Sequence, residues 1–301
     1  MFKDQIANAL RTLLVSGYIV TKVNRISQRA TIVSVHKRDR LGGLAASTIL
    51  LSENPSANVV EMVRRTAAET HSEPLLITTG VVKNIPTLKP TKFFELLGGE
   101  VRSDRIIRDD LSAIMNELGY NRLPNGFSGS AEDLLEDYIK EGLEFLLESR
   151  GHRYGQDRLF ESVPDGIVLG RLNLYFDGKA YRKGYHPSSD DIKRFAGYVN
   201  EFNANYASTV GRIHSFVVVT GNFTAKRSAL ETKATDFYAR CKTQLCCVTA
   251  SDFGQIVTDV RLKCPNRANI KWENVFSRLR FDPSVIAAEL RRINRDKITL
   301  D

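Results

Sequence analysis

The chemistry-bearing residues of this 301-residue chain gather in one stretch, Ser162-Val-Pro-Asp-Gly-Ile-Val-Leu-Gly-Arg-Leu-Asn-Leu-Tyr-Phe-Asp-Gly-Lys-Ala-Tyr181. Asp165 sits at a Pro-Asp-Gly turn entering a strand-like run. Asp177 and Lys179 lie two apart on the next run, so both side chains point to one face. Eleven residues separate the aspartates, enough for a tight hairpin that sets them side by side. Two close carboxylates repel each other and raise a pKa unless a cation sits between them. Oxygen ligation of this kind suits magnesium, with manganese as a substitute, because these ions keep waters and take phosphate oxygens as further ligands. A lysine beside such an ion can deprotonate or orient an attacking water and offset charge in the transition state. The chemistry expected is metal-assisted phosphodiester hydrolysis, with Asp165 and Asp177 as ligands, the backbone carbonyl of Gly178 as a further oxygen, and Lys179 as the catalytic amine. On its own the pattern is thin, since Pro-Asp-Gly is an ordinary turn and D-x-K on a strand is usually a solvated face.

The elements that must position these residues are legible around them. Ser130 caps a long amphipathic helix with Asp133 at the capping-box position; Leu135, Tyr138, Ile139, Leu143 and Leu146 line one face, and Gly151 is expected to stop it. Strand-like runs follow at 159–169 and 173–181, then a helix from about Ser189 to Phe202, a strand at Ser215–Thr220, a basic helix at 225–240 and a strand around Cys246 and Cys247. Short helices near 253–260 and 285–293 complete the chain. This order predicts a mixed sheet flanked by helices. The first part shows a helix with Ile6, Leu10, Leu13 and Leu14, strands at 18–23 and 31–35, a turn at 41–44, a run at 47–51, a helix around Val59–Val63, a strand at 75–79 and a short helix at 91–97 stopped by Gly98-Gly99. The polar stretch 121–130, with Pro124, Gly126 and Gly129, is the best linker candidate. It divides the chain into an N-terminal α/β domain, 1–120, for recognition or partner binding, and a second domain, 121–301. Leu75-Leu-Ile-Thr-Thr-Gly80 echoes Phe216-Val-Val-Val-Thr-Gly221, which leaves open whether the first domain is a degenerate copy of the second or a different α/β unit.

The run Asp177-Gly-Lys-Ala-Tyr-Arg-Lys-Gly-Tyr185, followed by a helix reaching Phe195-Ala-Gly-Tyr-Val199, resembles the cleavage domain of FokI-type restriction endonucleases, of the PD-(D/E)xK nuclease superfamily. The resemblance spans about 125–280 and is most specific over 164–199. It implies a restriction-endonuclease-like α/β fold and a magnesium-dependent endodeoxyribonuclease acting in restriction or anti-phage defence. The family's metal-binding aspartates fall on Asp165 and Asp177 and its lysine on Lys179. Many superfamily members add a helix glutamate near the metal; Glu144 or Glu136 is the candidate, Glu144 being the one carried into the expected site. The family's dimer helix uses an Asp and an Arg one turn apart, and those positions fall here on Lys193 and Gly197, while Asp190 and Arg194 have the spacing in another register. The family's sequence-reading domain has no counterpart in 1–120.

Composition sets the outer limits. The chain is 42% hydrophobic with 43 basic and 35 acidic residues, a net charge of +8 that permits a polyanionic partner. No apolar run approaches a membrane span, and the start lacks a signal-peptide core, so a cytoplasmic protein without membrane contact is expected. The four cysteines show no C-x-x-C pair, and those at 246 and 247 read as small hydrophobes in a buried strand. Lys226, Arg227 and Lys233 on the basic helix are the candidates for contacts to double-stranded DNA, set against an ordinary solvated helix face. A homodimer or a partner subunit is compatible with these features. The competing readings are a nuclease subunit of a larger restriction or transposition complex, inactive alone, and a non-catalytic DNA-binding module on the same fold.

Overall fold

The computed structural model describes residues 2–27, 29–38, 44–80, 82, 84–90, 92–93, 105–155 and 163–298. The expected turn at 41–43, residues 91 and 94–97 of the expected short helix with its Gly98-Gly99 stop, and the first part (159–162) of the expected strand 159–169 lie outside the described residues. The chain divides into two compact units, Met1–Glu100 and Val101–Asp301. The stretch 121–130 read as a linker therefore lies inside the second unit, between two of its helices, where Gly126 and Gly129 take positive φ in open space.

In the first unit, helix α1 (Phe2–Val15) buries Ile6, Leu10, Leu13 and Leu14. Strands β1 (Ile19–Ser27), β2 (Ala30–Arg38) and β3 (Leu44–Ser52) form an antiparallel meander. Helix α2 (Ala57–Glu69) crosses over to β4 (Glu73–Ile77), parallel to β3, and the two-residue β5 (Thr87–Leu88) adds in parallel. Ile32, Leu50 and Leu76 pack with Val60 and Val63 of α2, which is the period-2 and period-3.6 patterning meeting across one interface.

The second unit opens with helix α3 (Leu111–Gly119), which falls within 1–120, the expected N-terminal domain. It packs on helix α7 (Ala250–Lys263) and belongs to the core of the second unit through Leu111, Ile114, Met115 and Leu118. Glycines allow the close approach: a Cβ at Gly254 of α7 would stand 2.7 Å from the Ser112 Cα, and one at Gly119, at the end of α3, 2.7 Å from the Gly221 nitrogen. Helix α4 (Ala131–Leu147) starts as expected, with Ser130 accepting from the Asp133 N–H. It ends at Leu147 with Glu148 in the left-handed region, not at Gly151, which lies in strand β6 (Arg150–Arg153). Strands β7 (Gly166–Leu169) and β8 (Leu174–Lys179) complete a second antiparallel meander. Helix α5 (Ser189–Val210), closed by a Ser188–Asp191 capping box, leads to β9 (Ser215–Thr220). Helix α6 (Arg227–Cys241) leads to β10 (Gln244–Thr249), both strands running parallel to β8. Helices α7 (Ala250–Lys263), α8 (Trp272–Phe276) and α9 (Pro283–Ile298) cover the outside.

The sheet orders are β1-β2-β3-β4-β5 and β10-β9-β8-β7-β6. Each is a three-strand meander extended by two parallel strands, so the first unit repeats the strand topology of the second. In the second unit this places β8 at the centre, covered on one face by α4 and on the other by α5. Cys246 and Cys247 are buried on β10, and burial pushes the Cys247 thiol up to about 12.

Candidate active site

The hairpin from β7 to β8 sets the two aspartates together, as the spacing required. Gly166 pairs with Phe176, so Asp165, one residue before β7, falls opposite Asp177. Asp165 is fixed from both ends of the residue: its carbonyl accepts from the Tyr154 N–H at 2.7 Å, and its Oδ2 accepts from the Gly178 N–H at 2.7 Å. The amide of Gly178, whose carbonyl was expected as a ligand, thus clamps the neighbouring carboxylate onto β8. A side chain at 178 would crowd α4, since a Cβ there would stand 3.1 Å from Ile139 Cδ1.

Asp177 is 3% exposed and lies on the α5 face of β8, the face on which Tyr175 meets Phe202 edge-on. Lys179, two residues on, shares that face, and its ammonium touches Asp177 Oδ1. Burial raises both aspartates; the Asp177 charge adds to this at Asp165, which is pushed up to about 7. Burial alone would depress the Lys179 ammonium, but Asp177 and Asp165 outweigh it and hold the group well above its ordinary value. Arg194 of α5, ion-paired to Asp191 at 2.8 Å, draws Asp177 back down.

The third carboxylate at the site is Glu136 of α4. It is 7% exposed, and burial together with the Asp165 charge pushes it up to about 8, against the opposing pull of Arg153. Arg153 Nε stands 3.4 Å from Glu136 Oε2, and the same guanidinium binds Asp133 Oδ1 at 2.9 Å and Asp137 Oδ1 at 3.1 Å. Arg153 was not singled out in the sequence, where Arg-Gly-His-Arg carries no pattern. Its position at the end of β6, facing three α4 acids one turn apart, is what makes it matter.

Glu144 does not join this group. Its Oε1 accepts from the Gly151 N–H at 2.8 Å, fastening β6 to α4, and its Oε2 is 3.0 Å from Lys140 one turn back on the same helix, so both oxygens are engaged. Eight residues of helix, about 12 Å of rise, separate it from Glu136. The α4 glutamate near Asp165 is Glu136, whereas Glu144, the one carried into the expected site, lies further along the helix.

The expected DNA contacts are also partly self-satisfied. Arg227 pairs with Glu231 one turn along α6 at 2.9 Å, and Lys233 donates to Ser189 Oγ at 2.6 Å; Lys226 is the residue preceding the helix. On α5, Asp190 pairs with Lys193 and Arg194 with Asp191, so these charges close on their own helix.

Glu136 Oε2 is buried without a hydrogen-bond donor among the described residues, with Arg153 Nε 3.4 Å away, and buried Asp177 Oδ1 has the Lys179 ammonium as its contact. Among the described residues no set of three His, Cys, Asp or Glu side chains closes into a ligand cage. Two apposed carboxylates are oxygen donors of the kind that hard divalent cations take, with waters and substrate oxygens as further ligands.

A family profile for "FokI, cleavage domain" matches residues 106–274. Two solved structures of restriction endonuclease FokI are similar. The one bound to DNA is 13% identical, with 67% of this chain and 37% of that chain covered at a TM-score of 0.46. The other is 16% identical, with 68% and 36% covered at a TM-score of 0.46. The chain thus spans less than two fifths of the length of these solved chains. No curated protein matches. With the profile running over more than half of its length, from α3 to α8, the chain belongs to the FokI cleavage-domain family and carries a nuclease of the restriction-endonuclease fold.

Proposed function

We propose that the second unit is an endonuclease that hydrolyses phosphodiester bonds of double-stranded DNA with magnesium, or manganese in its place. The observation that carries this reading is the apposition of Asp165 and Asp177 across the β7–β8 hairpin with the Lys179 ammonium on Asp177. The carboxylates of Asp165 and Asp177 and the Gly178 carbonyl would hold the ion, with Glu136 beside them. A bound divalent cation supplies positive charge at the phosphoryl oxygens and lowers the pKa of a coordinated water. The rest is work for the chain's own groups. The Gly178 N–H and the Tyr154 N–H keep Asp165 in place. Lys179, held cationic by its neighbours, donates to the attacking water or to a non-bridging phosphate oxygen, where charge grows in the transition state. The wall of α4 behind Gly178 and of α5 behind Asp177 keeps bulk water from the Asp177 carboxylate.

Restriction or anti-phage defence is the setting proposed, by family analogy alone, with the first unit serving recognition or partner binding. Titration calorimetry of magnesium and manganese into the wild type and Asp177→Ala, alongside cleavage of an end-labelled duplex, tests the reading. Metal binding and strand cleavage by the wild type, both lost in the variant, are expected. Metal-independent cleavage by both proteins would overturn it.

A further inference from the structure

The positive charge of the first unit is concentrated in its opening strands. From Gln5 to Arg38 the sequence contains no acidic residue and six basic ones, Arg11, Lys22, Arg25, Arg29, Lys37 and Arg38. Lys22 and Arg25 on β1, Arg29 at the hairpin end and Lys37 on β2 are all exposed. None of these four forms an ion pair with a described residue; Lys37 lies over the Tyr18 ring, 4.9 Å from its centroid. Several arginines elsewhere are compensated instead. On α2 of the same unit Arg65 stands 3.3 Å from Glu69 and Arg64 3.7 Å from Glu61, and Arg105, Arg153, Arg194 and Arg240 of the second unit each hold a carboxylate. A run of uncompensated cations on one element raises the potential there and is relieved by a polyanion.

The geometry of the element suits a particular polyanion. Among the described residues β1 is the edge of its sheet and pairs only with β2. Register shifts between Val20 and Lys22 and between Arg25 and Ser27 mark two bulges, which coil and twist an edge strand. Lys22 lies opposite Ser34 and Arg25 opposite Thr31, three residues apart on β2, so the two cations stand on opposite faces of the ribbon. β2 is a largely buried inner strand paired to β3, so what the fold exposes is the outer edge, and cations on both faces of an exposed edge can contact the phosphates of a duplex backbone lying along it. β2 and β3 carry no carboxylate that could neutralise the ribbon or hold a metal as Asp165 and Asp177 are placed to do.

We propose that the β1–β2 edge of the first unit is a binding site for the phosphate backbone of duplex DNA, contacted by Lys22, Arg25 and Arg29, which holds DNA without cutting it. The inference deepens the function proposed above and rests on it for the identity of the polyanion; the residues it uses are separate from the candidate active site.

The test is fluorescence anisotropy of a labelled 30-mer duplex with the full chain in EDTA, where cleavage does not enter, between 50 and 200 mM salt. Each phosphate contact contributes about 0.9 to the slope of log affinity against log salt. The triple variant K22Q/R25Q/R29Q is expected to bind more weakly and to show a slope shallower by about 2.7, so that the wild type loses roughly 40-fold more affinity than the variant across that range. The charge-conserving K22R/R25K/R29K keeps the wild-type slope. A wild-type slope in the Gln variant overturns the proposal. So does a Gln variant that self-associates in light scattering with unchanged DNA binding, because the charges would then serve only to keep the edge from pairing with another chain. Cleavage in magnesium is read beside these. An unchanged slope with Asp177→Ala inactive discards the edge and leaves the nuclease reading standing, whereas a lost slope with an inactive wild type does the reverse.

Discussion

Glu136→Gln separates the electrostatics of the candidate site from its packing. Glu136 is 7% exposed and its carboxyl is pushed up from 4.5 to about 8, by burial first and by the Asp165 charge second. An acid whose folded-state pKa lies above its unfolded value binds more protons folded than unfolded between the two. Its contribution is fully present below about 4.5 and is lost as pH rises through about 8. The slope reaches about 1.4 kcal/mol per pH unit for one proton. Because Glu136 titrates together with Asp165, the loss assigned to Glu136 across the window is roughly 2–4 kcal/mol. Glutamine keeps the shape and removes the titration, while Arg153 retains Asp133 and Asp137. Urea unfolding in EDTA at pH 5, 6, 7 and 8 is expected to show wild-type stability falling with pH and a distinctly flatter profile for Glu136→Gln. Magnesium, which displaces those protons, should stabilise the wild type more at pH 8 than at pH 6. Parallel wild-type and variant profiles would refute the coupling of Glu136 to the aspartates.

Three further outcomes follow from the packing. Deleting residues 1–100 should leave a folded protein, while deleting 1–120 should not. The second cut removes Leu111, Ile114, Met115 and Leu118, all buried, at about 1.5–3 kcal/mol each, a total comparable with the whole stability of a domain; circular dichroism melts of the two truncations decide this. Gly142→Ala would bring a Cβ 2.5 Å from the Phe253 ring and should lower stability by about 1–3 kcal/mol, read by urea unfolding, without changing magnesium affinity once folded. Glu144→Gln loses its charge on Lys140 and should cost about 1 kcal/mol in the same assay, again with magnesium affinity unchanged in calorimetry, in contrast to Glu136→Gln.

What the sequence showed and what it hid divide along physical lines. That Asp165 falls opposite Asp177 with Lys179 on the same face was legible, because strand alternation and hairpin length are local properties. Which helix glutamate joins them was not. Glu136 and Glu144 both lie near the inner side of α4, and only the depth at which the helix crosses β8, set by Gly178 and Ile139, decides between them. Strand β6 escaped notice because Arg150-Gly-His-Arg153 is an edge strand of polar residues without alternation. Helix α3 did carry a signal, Leu111, Ile114, Met115 and Leu118 at spacings of three and four. Its assignment to the second unit depended on contacts with α7, more than 130 residues away in sequence. The turn-rich stretch 121–130 looked like a linker because positive-φ glycines mark a sharp turn and a domain boundary alike.

The most direct test of the central claim is cleavage of supercoiled plasmid in magnesium by the wild type beside Asp177→Ala and Lys179→Ala. The arrangement of Asp165, Asp177 and Lys179 predicts nicked or linear product from the wild type, loss of at least about a hundredfold in rate for each variant, and no product from any of them in EDTA. Wild-type rates in Asp177→Ala would contradict the assignment of the active site.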